Sequence, residues 1–139
     1  MNTQHNPMQG VLPYIAMAGR TAEAMDFYAR AFGAEDIGRM PFPDGQPGLM
    51  HAQVLINGGA LMMTDSTMNP GGVENREIQP NFGHLQLVVA DGRAWWNRAL
   101  AAGCTVLAPY ERQPWGDDWG MLRDPFGLKW AILQDGAAQ

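Results

Sequence analysis

Few side chains in this 139-residue chain can do chemistry. There are three histidines (His5, His51 and His84), one cysteine (Cys104) and five tryptophans. His51 opens the run HAQVLI and His84 the run HLQLVV, and each has a glutamine two residues on, Gln53 and Gln86. Residues two apart on a strand share a face. His51, Gln53 and Leu55 therefore point one way on their strand, and His84, Gln86 and Val88 on theirs, while Leu85, Leu87 and Val89 face a helix. Two histidines and two glutamines brought into one concavity would make a polar binding wall, or a metal site completed by other ligands. A lone histidine on a strand is a poor ligand set, and the plainer reading of each is a hydrogen-bonded side chain.

The two tryptophans of WGDDWG, Trp115 and Trp119, stand in a loop-to-strand segment. Their rings could stack on a planar or cationic ligand, worth about 0.5 to 2 kcal/mol per contact; simple packing at a rim accounts for them as well. Trp95 and Trp96 are adjacent on a helix, where at least one serves the core. Lys129 shares the parity of Ala131 and so faces the concavity, opposite to Trp130. Met62 and Met63 read as wall residues, with Met63 counted in the ligand-binding set because methionine repacks easily around varied ligands. Cys104 follows a helix-stopping glycine without a paired base and reads as a small buried hydrophobe. His5 falls on an end expected to fray.

The elements that must position these groups come in two similar halves. LPYIAMA reads as a strand; Thr21 is placed to cap a helix striped with Met25, Tyr28 and Phe32 and closed by Gly33. Strands follow near 34–40, at HAQVLI, and at ALMMTD after the turn NGG. The second half repeats the order: HLQLVVA, a helix GRAWWNRALAA capped by Asp91 with Trp95, Ala99 and Ala102 on one face, then CTVLAPY, DWGMLR, the turn DPFG and KWAILQD. The reading is one α+β domain of two βαβββ modules, 11–65 and 82–135, joined by a proline- and glycine-bearing link or lid at 66–81.

Paired βαβββ modules with GHLQLVVADGRAWWNRALAAG and DPFGLKW resemble the glyoxalase, bleomycin-resistance and extradiol-dioxygenase superfamily, the vicinal oxygen chelate proteins. PYIAMAGRTAEAMDFYARAFGAE with MHAQVLINGGALMMTD is similar to its PhnB-like branch. The resemblance implies curved sheets forming a cup with the helices outside, often completed in a homodimer. It also implies, for the metal enzymes, ligands from the first and last strands of each module. His84 sits at one such place. Counting seven residues on from Asp124 gives Ala131, aligning Asp65 with Asp135 gives Leu61, and the first strand offers Leu12, Pro13 and Tyr14. Alanine and leucine have no lone pairs for an ion.

The expected function is therefore a small-molecule-binding protein with a degenerate metal site, taking a small, partly aromatic ligand through His51, Gln53, Met63, His84, Gln86, Trp115, Trp119 and Lys129. No cofactor is expected. The alternative is a metal-dependent lyase, isomerase or dioxygenase in which His51 and His84 hold a divalent ion. The ubiquinone-methyltransferase name attached to some PhnB-like sequences lacks support here, because no glycine-rich strand-to-helix turn is present to cradle its cofactor. A net charge of -5 without a basic stripe argues against nucleic acid. The single cysteine and the lack of a long apolar segment point to a cytoplasmic location and away from a membrane. Curved sheet edges need covering, which predicts a homodimer; light scattering at micromolar concentration should return twice the mass of the chain, and a single chain's mass would refute it.

Overall fold

The computed structural model describes residues 6–67 and 83–136. His5 and most of the link expected at 66–81 lie outside these. The chain divides into two compact units, residues 1–29 with 33–77 and residues 30–32 with 78–139. Each holds a mixed four-stranded sheet, and the class is α+β. The first sheet is built from β1 (Tyr14–Ala16), β2 (Glu35–Pro41), β3 (Leu49–Ile56) and β4 (Gly59–Thr64), in the order β1-β4-β3-β2, with helix α1 (Thr21–Phe32) after β1. The second has β5 (Leu85–Val88), β6 (Thr105–Arg112), β7 (Asp118–Arg123) and β8 (Lys129–Gln134), in the order β5-β8-β7-β6, with α2 (Gly92–Ala102) after β5. In each sheet the first and last strands run parallel and the other pairs are antiparallel. This is βαβββ twice.

Local chemistry accounts for most boundaries. Asn57 and Gly58 both take positive φ, 51° and 81°, in the two-residue turn joining β3 to β4, the backbone that the twist of a tight hairpin requires. Gly33 ends α1 in the left-handed region at φ 67°, and its amide donates to the Ala29 carbonyl. Asp91 caps α2 by accepting from the Ala94 amide at 3.1 Å. The stripe of α2 differs from expectation: Trp96 and Ala99 are buried, while Trp95 and Ala102 are half-buried. Trp96 lies 5.5 Å from the Tyr110 ring, over which the Arg93 guanidinium sits at 4.7 Å. Gly120 permits this packing, since a Cβ there would come within 2.7 Å of the Trp96 ring and the Tyr110 backbone. The DPFG turn is held by buried Asp124, which accepts from the amides of Phe126 and Leu128 and, at 2.8 Å, from Trp130 Nε1.

Thr21 does not cap α1. It is the first helical residue, wholly buried, and its amide and hydroxyl both donate to Asp65 Oδ1, at 3.0 and 2.6 Å. Asp65 Oδ2 accepts from the Leu49 amide at 2.9 Å. Gly48, at φ 95°, makes room, because a Cβ there would stand 2.8 Å from that oxygen. The cap is thus supplied by a carboxylate 44 residues away in sequence. The second unit does the same with an amide: Gln134 Oε1, at the end of β8, accepts from the amide of Gly92, the first residue of α2, at 2.8 Å.

These ties align the two halves. Asp65 matches Gln134, not Asp135, and the bonds Met17 N–H to Thr64 O and Val89 N–H to Leu133 O occupy the same place in each unit. Asp65→Ala should cost about 2 kcal/mol, since it strands a buried hydroxyl and two amides, and Gln134→Ala about 1 kcal/mol for one amide. Urea midpoints of the two variants check this, and equal losses would deny Asp65 its larger role.

Candidate functional site

Strands β3 and β7, inside their sheets, alternate buried residues with more open ones, which gives each sheet a covered face and a more open face. In the first unit Ile15, Ala52, Val54, Leu61 and Met63 are buried. His51 and Gln53 are half-buried on the opposite side of β3. Tyr14 pairs with Met62, and Met62 with Gln53, so these three form one row across the open face. Met63 pairs with Ala52 and is wholly buried. The register therefore gives the open face Met62 and not Met63, the methionine that sequence reading placed there.

The open face of the first sheet carries a hydrogen-bonded chain. Tyr14 Oη lies 2.6 Å from His51 Nδ1, and His51 Nε2 lies 2.8 Å from Gln53 Nε2. Tyr14 and His51 also stack at a tilt, with ring centroids 5.4 Å apart. Partial burial raises the Tyr14 phenol above its usual 10, so it stays protonated at neutral pH. Sequence reading cited Tyr14 only as a strand residue that is not histidine. Its parity with Met62 and Gln53 was the available signal, hidden by not knowing which strand lies beside β1.

In the second unit His84 Nε2 lies 3.2 Å from Gln86 Oε1, with both side chains exposed and Leu87 buried behind them. Gln86 pairs with Ala131, Ala131 with Met121, and Lys129 with Arg123, so Lys129 shares a face with Ala131, itself wholly buried, while Trp130 is buried on the opposite face. Trp119, opposite Leu133, lies on the same face. Its ring meets Trp115 edge to face at 6.3 Å, a favoured aromatic geometry. Trp115 is 62% exposed. The loop carrying it is closed by Gln113, whose amide donates to the Asp117 carbonyl at 2.8 Å and whose side chain donates to the Trp119 carbonyl at 3.1 Å.

The fit to a divalent ion is poor. Matching the units by their ties puts Met62 opposite Ala131 in the alignment, one residue on from the Leu61 expected from the paired aspartates; Leu61 itself is buried on the covered face. A thioether and a methyl group stand at the two places. Both ring nitrogens of His51 are engaged in hydrogen bonds. His84 Nε2 faces an amide oxygen and so carries the proton, leaving that nitrogen without a lone pair. No group of three or more His, Cys, Asp or Glu side chains converges among the described residues. Cys104 is buried, and burial together with the nearby Asp124 carboxylate pushes its thiol up to about 12, which keeps it protonated and unreactive.

Residues 11–132 match the model of the Glyoxalase/Bleomycin resistance protein/Dioxygenase superfamily. The chain belongs to that superfamily. It is 39% identical over 121 residues to protein Mb0911c of Mycobacterium bovis, covering 81% of this chain and 75% of that one. Protein PA1353 from Pseudomonas aeruginosa has a similar structure, with TM-score 0.70, 26% identity, and coverage of 91% and 98% of the two chains. So does a PhnB protein from Bacillus cereus that bears a 3-demethylubiquinone-9 3-methyltransferase name, with TM-score 0.70, 22% identity, and coverage of 91% and 99%. Members of this superfamily share a scaffold, and what each does is set by the residues on its sheets. Among the described residues no helix is long and apolar enough to cross a membrane.

Proposed function

We propose that this superfamily member is a PhnB-like binding protein with a degenerate metal site, taking a small, planar, partly aromatic molecule on an open sheet face. The observation that carries the reading is the pair Met62 and Ala131 at corresponding places of the two units, where an ion would need charged oxygen donors. On the first sheet Tyr14, His51 and Gln53 supply hydrogen bonds, and on the second His84, Gln86 and Lys129 do so. Met62 adds apolar surface to the first face, and Trp115 with Trp119 adds aromatic surface to the second. Few polar groups set in an apolar wall is the usual make-up of a small-molecule site.

A planar probe such as chroman-4-one should quench the tryptophan emission on binding the second face, and replacing Trp115 and Trp119 together by leucine should weaken binding at that face about ten-fold. Unchanged affinity in that double variant would dispose of the stacking role. The donor set also predicts that the purified protein holds no stoichiometric divalent ion after extensive dialysis, because a histidine pair alone leaves most of the coordination shell to exchangeable water. Elemental analysis returning about one zinc, nickel, iron or manganese per chain, lost in His84→Ala, would sink the reading in favour of a metal-dependent enzyme.

A further inference from the structure

We propose that Tyr14, His51 and Gln53 form a directed hydrogen-bond chain whose outer hydroxyl donates to a carbonyl oxygen, so that the first sheet recognises a conjugated carbonyl on a planar ring. This rests on the small-molecule-binding reading above and adds to it a contact residue and a ligand class.

The direction of the chain follows from its inner end. The atom of Gln53 facing His51 Nε2 is the amide nitrogen, at 2.8 Å. An amide nitrogen donates and does not accept, so His51 Nε2 is the acceptor. A neutral imidazole whose Nε2 accepts carries its proton on Nδ1. That proton is donated to Tyr14 Oη at 2.6 Å. Tyr14 thus receives a hydrogen bond through its oxygen, and its own O–H is left without an acceptor among the described residues. Hydrogen bonds in series polarise one another, and a hydroxyl that accepts becomes a stronger donor. Tyr14 is 51% exposed, so the hydroxyl is open to a ligand. The phenol keeps its proton, because partial burial moves its titration upward.

The ligand class follows from charge and surroundings. A lone O–H donor calls for an oxygen acceptor. A net charge of -5 disfavours bringing an anion to this surface, so a neutral acceptor fits, and a conjugated carbonyl oxygen is one that a planar ring carries in its own plane. Met62, in the same row as Tyr14 and Gln53, adds a polarisable thioether to that face, suited to the face or edge of a ring.

Two measurements test this. Long-range proton–nitrogen spectra of the unliganded protein should find the His51 proton on Nδ1; a proton on Nε2 would reverse the chain and overturn the proposal. In titrations, chroman-4-one should bind about ten-fold more weakly to Tyr14→Phe than to the parent, the loss of one hydrogen bond. Chroman, the same ring without the carbonyl, should bind both proteins alike. Equal affinity of chroman-4-one for both proteins, or an equal loss for chroman, would overturn the carbonyl contact and leave the binding function standing. Binding of neither compound to the parent protein would instead overturn the proposed function, and this inference with it.

Discussion

The first unit depends on one carboxylate. Asp65 stands where β4 ends, and it accepts from the first residue of α1 and from the first residue of β3. A helix start leaves amides without partners, and a strand end has no ladder to continue. One charged group at their junction meets both needs and sets where each begins. Because β4 also pairs with β1, fixing its end fixes which residues of β1 face which way. The row Tyr14, Met62, Gln53 is the downstream consequence. Gln134 performs the corresponding task in the second unit with a neutral amide and a single bond.

Much of this architecture was legible in the residues alone. The span of α2 and of β7, the caps Asp91 and Gly33, and the two-residue turn at Asn57 all follow from local chemistry that acts within a few residues. The errors came from decisions made at a distance. Thr21 is a good capping residue, yet a better acceptor arrives from across the fold. The motifs MMTD and ILQD invite pairing their aspartates, but the hydrogen bonds to the helix starts pair Asp65 with Gln134. That one-residue slip reverses a strand's faces, which is why the paired aspartates match Leu61, and not Met62, to Ala131. Trp95 and Trp96 differ by about 100° around a helix, too little for an apolar stripe to decide between them without knowing what lies opposite. Tyr14 needed the identity of a neighbouring strand that no local pattern supplies.

Once aligned by their ties, the two sheets have the same covered faces and different open ones. Tyr14, Gln53 and Met62 on the first correspond to Gln86, Met121 and Ala131 on the second, and by the same step His51 corresponds to Trp119. The first row is two hydrogen-bonding groups and a thioether; the second is one amide, a thioether and a methyl group. The backbone duplication has kept the scaffold and let the chemistry part company.

The separation of faces has a counterpart in the gene. Along β3, every second codon specifies a side chain sealed into the interior, as with Ala52, Val54 and Ile56. The codons between them, such as those of His51, Gln53 and Leu55, specify groups that the scaffold does not need. Alternate codons in one short stretch therefore answer to different selective demands, one to folding and one to whatever the surface meets. A lineage could exchange its ligand by changing a handful of interleaved positions without ever passing through an unfolded protein.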